Sequence, residues 1–277
     1  MSRTHTQRRP DDWHVHFREG GRMQSVVSHT ARQFGRALVM PNTSPFILTV
    51  DDAAKYRQQI MEAVASDMDY FTPCMTLYLQ ETTNPEEIRR AKKSGFINGI
   101  KMYPRGQTTN SHGGVADINK IFDHLKVMEE VDMPLLMHGE VPDDNVDVFE
   151  REVEFYLARF DWLIRTFPKL RIVCEHITTK RVAEMIEYEK SRRLGATITP
   201  QHLLVNRNYM LGNFLRPHAF CKPILKTEED RKYLLEVATS GNPSFFLGTD
   251  SAPHPKDGEP GKAKECDCGC AGCFTAH

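Results

Sequence analysis

Short apolar runs alternate with longer amphipathic stretches along most of this chain. Eight of the short runs have the length and composition of buried strands, and they lie at residues 13–17, 36–40, 70–78, 97–103, 133–138, 170–176, 196–199 and 244–249. The amphipathic stretches between them predict helices, among others at residues 51–65, 85–93, 118–128, 144–166, 180–192 and 228–239.

Two local patterns support these helices. Apolar residues spaced three and four apart predict one buried helix face, formed by Ile118, Ile121, Phe122, Leu125 and Met128. Asn84 followed by Pro85 is typical of a helix start, because asparagine can cap the first turn and proline fits its first position.

The order of the elements predicts an α/β fold. Strands that alternate with helices through right-handed crossovers form a parallel sheet, and eight such units favour a closed (β/α)8 TIM barrel over an open sheet. The carboxyl ends of the strands and the loops after them then form the active face. No linker divides the 277 residues, so we expect a single barrel domain over residues 1–277.

Composition excludes some classes of partner. The chain is 40% hydrophobic, enough for a large core, and its 36 basic and 37 acidic residues leave a formal net charge of -1. Such a charge supplies no long-range field for nucleic acid or an anionic membrane. No apolar run approaches the ~18 residues that span a bilayer, and the polar start lacks a signal peptide's apolar core. We therefore expect a cytoplasmic protein without nucleic-acid or membrane partners.

The cysteines do not resemble a secreted disulfide framework. Four of the seven are crowded between Cys266 and Cys273, whereas such frameworks spread across a fold. We expect reduced thiols there, and a structural zinc knot is the alternative, which the cramped spacing disfavours.

Six residues have the chemistry and the positions of a metal site. His14 and His16 alternate in the first predicted strand and therefore share a face. Four more lie at or near the ends of later apolar runs, at nearly regular intervals: Lys101, His138, His176 and Asp250. Each alone is more often a core or capping residue, and we expect His202 and His218 to be packing or hydrogen-bonding residues rather than extra ligands. Their equivalent strand-end positions predict convergence on divalent cations, which imidazole and carboxylate bind well.

Lys101 is the unusual member of this set, because an ammonium group repels cations. It lies in an apolar run where burial would lower its pKa, and a neutral amine can take up carbon dioxide to form an anionic carbamate. Such a carbamate can bridge two metal ions. The alternative, a buried lysine paired with a carboxylate such as Asp250, remains open.

The same six residues resemble the metal-binding pattern of the amidohydrolase superfamily. Longer strings around them, spread nearly end to end, are similar to the bacterial-type, stand-alone dihydroorotases: RPDDWH at 9–14, MPN at 40–42, KMYP at 101–104, EHITTK at 175–180, ITPQH at 198–202, GTDSAPH at 248–254 and CGCAGCF at 268–274. These strings are far more specific than a pair of alternating histidines.

The resemblance implies a cofactor and a role for each residue. A first Zn2+ would be held by His14, His16 and Asp250, a second by His138 and His176, and both would be bridged by carboxylated Lys101 and a hydroxide. The substrate α-carboxylate would be bound by Arg18, Asn42 and His254. Thr108 and Thr109 would contact the substrate from a mobile loop, residues 106–114, and backbone groups at Lys222 and Ala271 would also touch it. At position 222 the resemblance leads us to expect an apolar residue, so Lys222 departs from the pattern.

The implied activity is the reversible interconversion of N-carbamoyl-L-aspartate and L-dihydroorotate in de novo pyrimidine (UMP) biosynthesis, by a homodimer. In the hydrolytic direction a zinc-activated hydroxide would attack the ring carbonyl. The second zinc would stabilise the oxyanion. Asp250 would act as the catalytic base and then as the acid.

The end of the chain leaves alternatives open. It stops at His277, soon after the eighth predicted strand, so we expect the family's C-terminal helix and segment to be missing and stability and activity to suffer. The other hypotheses are a related cyclic-amide hydrolase of hydantoinase, dihydropyrimidinase or allantoinase type, and a truncated, non-catalytic binding protein.

Overall fold

A single parallel sheet of eight strands forms the centre of the molecule. The structure is a computed structural model that describes residues 8–189 and 192–253. Its strands follow one another in chain order, each paired in parallel with the next: β1 Asp11–Val15, β2 Arg36–Val39, β3 Thr72–Tyr78, β4 Ile97–Met102, β5 Leu135–His138, β6 Ile172–Glu175, β7 Leu194–Ile198 and β8 Phe245–Leu247. All eight overlap the predicted strands, and the (β/α)8 TIM barrel is confirmed.

Backbone contacts between the two ends of the sheet close the barrel. The amide of Asp250 donates to the carbonyl of His14 at 2.9 Å, and the amide of His16 donates to the carbonyl of Ser251 at 2.9 Å. A Cβ at Gly248 would lie 2.8 Å from the side chain of Thr197 and 2.9 Å from that of His14. Glycine therefore permits the close approach of the segment after β8 to β1 and β7.

Helices connect the strands. In the described part of the chain they are α1 Gly20–Gln33, α2 Val50–Ala63, α3 Pro85–Ser94, α4 Phe122–Glu130, α5 Arg151–Thr166, α6 Lys180–Tyr188, α7 Pro200–Leu204, α8 Arg207–Leu211 and α9 Glu228–Thr239, with 3-10 turns at Ile118–Ile121 and Pro217–Ala219. Their apolar faces and the strands share one large buried core. Asn84 caps α3 by accepting from the amide of Glu86, with Pro85 in the first turn, as predicted.

Several predicted helix features are wrong in detail. The helix predicted at 144–166 begins only at Arg151, because turns occupy the preceding residues. Phe122 is 42% exposed, whereas Ile121, Leu125 and Met128 are fully buried. One residue step turns a helix by about 100°, so Phe122 points away from the face that Ile121 shares with its neighbours. Across the described residues, none of the helices combines the length and apolar character needed to cross a bilayer.

Candidate metal centre

The barrel brings the predicted ligands to one end of the sheet. His14 lies in β1 and Lys101 in β4, His138 ends β5, His176 directly follows β6, and Asp250 follows β8. In a parallel barrel these positions share the carboxyl-terminal face. Asp250 is partly exposed, and the other five predicted ligands are buried.

Three of the predicted ligands form a nearly equilateral triangle of donor atoms. Nε2 of His14 lies 3.2 Å from Nε2 of His16. Oδ1 of Asp250 lies 3.3 Å from the first nitrogen and 3.2 Å from the second. A tetrahedral ion with bonds of ~2.0–2.1 Å needs ligand atoms about 3.3 Å apart. The triangle therefore has the dimensions of one face of a zinc site.

A second group of converging ligand atoms contains a residue absent from the predicted set. His14, Glu175 and His176 bring one ligand atom each to within 4.8 Å of one another. Glu175 Oε2 lies against Nδ1 of His14, the ring nitrogen that faces away from the triangle. Because a metal-binding histidine commonly has a carboxylate on its other nitrogen, Glu175 fits the role of orienting His14.

His138 stands next to His176 but belongs to neither group. The two rings pack edge to face with centroids 4.6 Å apart. Nε2 of His138 pairs with Oε2 of the buried Glu140 at 2.7 Å, which leaves Nδ1 as the nitrogen able to bind an ion. Glu140, like Glu175, is a buried carboxylate partner that the sequence did not single out.

Lys101 is fully buried beside these groups, and its Nζ lies 2.5 Å from Oε2 of Glu175. The unmodified amine thus pairs with a carboxylate, as the alternative interpretation expected, but with Glu175 rather than Asp250. Burial lowers the pKa of Lys101, and the charge of Glu175 opposes that shift. A lowered pKa increases the neutral amine, the form that reacts with carbon dioxide.

The electrostatics suit cation binding. Burial lowers the pKa of His16 to about 4, although Asp250 acts in the opposite direction. Burial also lowers the pKa of His176 well below its ordinary value, assisted by His138 and Lys101. Burial alone would raise the pKa of Asp250, but the neighbouring His14 and His16 hold it below its ordinary value. His16 and His176 are therefore neutral and the carboxylate of Asp250 is ionised at neutral pH, the forms that bind a divalent ion.

Left-handed backbone conformations occur at three of the site residues: Arg18, His176 and Asp250 have φ angles of 61°, 42° and 50°. Non-glycine residues seldom adopt such angles, and where they occur they often mark functional sites. At His176 the turn lets both Glu175 and His176 face the site, although neighbours in a strand normally point to opposite sides. At Asp250 a buried carboxylate stabilises the adjacent segment, since Asp12 accepts from the amide and the hydroxyl of Thr249 at 2.8 and 2.6 Å.

Arg18 lies at the edge of the metal centre, with only 9% of its surface exposed. Its Nε donates to the carbonyl of Pro253 at 3.0 Å, and its own carbonyl accepts from the hydroxyl of Tyr56 at 2.6 Å. Burial lowers the pKa of Arg18, while the charge of Asp250 raises it. These contacts fix the guanidinium of Arg18 close enough to Asp250, the predicted catalytic carboxylate, for the two charges to interact.

The loop of residues 106–114, which we call the lid loop, is held close to the site. Asn42 Nδ2 donates to the carbonyl of Thr109 at 3.0 Å, and Asn110 Nδ2 donates to the carbonyl of Asn42 at 2.9 Å. Thr108 and Thr109 are half-buried. Lys222 Nζ donates to the carbonyl of Gln107 at 2.8 Å. Predicted substrate-binding residues therefore contact one another, whereas His254, Ala271 and the cysteines of 266–273 lie outside the described residues.

Comparison with known proteins agrees with this geometry. The profile of the amidohydrolase family matches residues 12–275. A dihydroorotase of Acaryochloris marina is 52% identical over 268 residues, which are 97% of this chain and 76% of that protein. The crystal structure of a Campylobacter jejuni dihydroorotase superposes with a TM-score of 0.82 at 39% identity, covering 90% of this chain and 71% of the other.

A second solved structure extends the comparison to a liganded enzyme. Saccharomyces cerevisiae dihydroorotase, in complex with 5-fluoroorotic acid, superposes with a TM-score of 0.81 at 34% identity, covering 90% of this chain and 70% of that one. Family profile, sequence identity and superposition extend over nearly the whole chain. The chain therefore belongs to the amidohydrolase family and, within it, to the dihydroorotases, which are hydrolases.

Proposed function

We propose that this chain interconverts N-carbamoyl-L-aspartate and L-dihydroorotate, the cyclic-amide step of de novo pyrimidine biosynthesis, at a centre of two zinc ions. The observation that carries the proposal is the triangle of donor atoms formed by His14, His16 and Asp250. Its edges match the ligand spacing of a tetrahedral ion. It lies at the barrel face where such enzymes place their chemistry.

The residues for a second ion stand beside the triangle. His138 and His176 would hold it, and a carboxylated Lys101 would bridge the two ions from its buried position between the groups. Bound zinc would supply an activated water at neutral pH and would polarise the carbonyl of the substrate.

The remaining chemistry belongs to side chains of the chain itself. Asp250, ionised because His14 and His16 hold its pKa down against burial, would take the proton of the attacking water. It would then return this proton to the departing ring nitrogen. Ring closure uses the same steps in reverse: Asp250 would take the proton from the attacking ureido nitrogen and return it to the departing water oxygen.

Substrate orientation follows from Arg18 and its neighbours. The planar guanidinium can donate two parallel hydrogen bonds to a carboxylate, which suits the α-carboxylate of dihydroorotate. With a net charge of only -1 the chain attracts no anion from a distance, so a local clamp is required. The ligand of the yeast relative, 5-fluoroorotic acid, is likewise a pyrimidine carboxylic acid. Asn42 and His254 would complete the clamp, and the lid loop would exclude water above it.

The test is a direct assay of ring opening and closure. The zinc-loaded protein is incubated with L-dihydroorotate, N-carbamoyl-L-aspartate, hydantoin and allantoin, and the products are separated by chromatography. We expect turnover of the first two compounds only. Turnover confined to hydantoin or allantoin would reject the proposed substrate, and a well-folded, metal-free and inactive protein would reject an enzymatic role. From the family resemblance we also propose that the protein is a cytoplasmic homodimer. Light scattering, which measures the molar mass in solution, tests the number of subunits.

A further inference from the structure

One hydrogen bond joins the lid loop to a segment more than a hundred residues away. Nζ of Lys222, which follows the 3-10 turn Pro217–Ala219, donates to the backbone carbonyl of Gln107 at 2.8 Å. Lys222 is half-buried and Gln107 is 97% buried, with 3% of its surface exposed. A charged donor in such a partly desolvated place makes a stronger bond than a neutral one.

Other contacts tie the lid loop to the opposite side of the barrel mouth. Asn42, which follows β2, exchanges hydrogen bonds with the carbonyl of Thr109 and the side chain of Asn110. The hydroxyl of Tyr78, at the end of β3, donates to the carbonyl of Asn110 at 3.2 Å. Lys222 supplies the tie from the segment after β7, so the loop is held from both flanks.

The residue that Lys222 holds also reaches the metal centre. The side chain of Gln107 hydrogen-bonds Glu140, and Glu140 is the partner of His138 Nε2 at 2.7 Å. Gln107 is therefore linked through Glu140 to His138, a predicted metal ligand. Thr108 and Thr109, the predicted substrate contacts, follow Gln107 directly in the chain.

We propose that Lys222 is a positioning residue that latches the lid loop over the metal centre through its bond to the Gln107 carbonyl. The proposal rests on the function proposed above, and it gives the lysine a role that an apolar residue at this position could not perform. Lid opening breaks this bond, so the latch favours the closed arrangement, in which Thr108 and Thr109 face the substrate.

The experiment compares variants of the whole chain by hydrogen–deuterium exchange without substrate and by steady-state kinetics. Lys222→Met keeps the length and removes the donor, whereas Lys222→Arg keeps a charged donor. Lys92→Met is the matched control, because Lys92 Nζ also donates to a backbone carbonyl, that of Asp132 at 2.7 Å, far from the lid loop. Thermal melting of each variant verifies that it folds.

In Lys222→Met we expect amide exchange in the lid loop to quicken by roughly tenfold, the order of effect of losing one bond from a charged donor. KM for dihydroorotate should rise several-fold with kcat changed less, since a mispositioned lid weakens binding before it weakens chemistry. Lys222→Arg should restore both values, and Lys92→Met should change neither.

Unchanged lid exchange in Lys222→Met would overturn the latch, even if KM rose, because that pattern indicates a direct contact with the substrate. Equal quickening in Lys92→Met would overturn it as well. Should Lys222→Met unfold, Lys222→Gln, which retains only a neutral donor, takes its place. Its lid loop must then exchange faster than that of the wild type and of Lys222→Arg for the latch to stand. If the Lys222 variants change lid exchange as expected but the wild-type protein does not turn over dihydroorotate, the proposed function is refuted and the latch stands.

Discussion

Replacing Glu175 with glutamine probes how the metal centre is organised. Glu175 is fully buried, and its carboxylate contacts both Nδ1 of His14 and Nζ of Lys101. Burial raises its pKa, but His14 and Lys101 together hold it below the ordinary value. Glutamine has the same shape without the charge, so Glu175→Gln removes the orienting interaction of a metal ligand while it leaves the ligand itself in place.

The magnitude follows from the number of groups affected. Loss of a carboxylate that orients a metal-binding histidine typically lowers metal affinity by ~10–100-fold. Glu175 contacts two predicted ligands, His14 and Lys101, so we expect the upper end, about 100-fold or ~2.7 kcal/mol. Zinc affinity is measured by competition with a chromophoric chelator, with bound zinc counted by mass spectrometry.

A second buried glutamate provides the control. Glu152 is 1% exposed, and its two oxygens accept four hydrogen bonds from the amides and hydroxyls of Thr178 and Thr179. Its carboxylate pairs with no side chain of a predicted metal ligand, so Glu152→Gln should lower the melting temperature and keep zinc affinity within about threefold. The reasoning fails if Glu175→Gln binds zinc like the wild type, or if both variants lose affinity equally.

Three further changes have defined outcomes. Arg18→Lys should raise KM for dihydroorotate by roughly tenfold or more without altering zinc content, because lysine cannot make the paired hydrogen bonds; unchanged kinetics would exclude Arg18 from the carboxylate clamp. Burial lowers the pKa of His202 to about 4, below the ~6.5 of an unfolded chain, so its contribution to stability is present above pH 6.5 and is lost as the pH falls through 4. This loss amounts to up to ~3 kcal/mol of the free energy of unfolding. Urea unfolding between pH 7 and 4 should therefore show that stability depends less on pH in His202→Gln than in the wild type. The same pH dependence in both proteins would contradict the lowered pKa of His202. Gly248→Ala should lower the free energy of unfolding in urea by ~2 kcal/mol or more, since its Cβ would lie under 3.0 Å from the side chains of Thr197 and His14. An unchanged free energy of unfolding would show that the closed barrel can accommodate a side chain at this position.

The strands and the triangle of ligand atoms could be predicted from patterns that are visible in the sequence. Most of the strands are buried on both faces, as in other parallel barrels, and therefore stand out as short apolar runs. His14 lies in β1 and His16 directly follows it; the two alternate and so share a face, and their Nε2 atoms lie 3.2 Å apart. Barrel topology brings Asp250 to them, since β8 returns to β1.

Other parts of the molecule could not be found in this way. Glu175 precedes His176, and strand alternation predicts that only one of the two faces the site; the left-handed φ of His176 removes that restriction. The helix Gly20–Gln33 carries weak signals in the sequence, because it begins with two glycines and lacks a capping side-chain bond. His202 was expected to hydrogen-bond rather than to bind metal, and its ring nitrogens contact Thr199 Oγ1 at 2.6 Å and the carbonyl of Pro223 at 3.0 Å.

Anomalous diffraction at the zinc edge, from crystals of the zinc-loaded protein, tests the central claim most directly. We expect two anomalous peaks at the carboxyl-terminal mouth of the barrel, one bound by His14, His16 and Asp250 and one by His138 and His176. Continuous density should join the Lys101 side chain to both ions. Peaks elsewhere, or a mouth without anomalous density in which Lys101 still pairs with Glu175, would contradict the account.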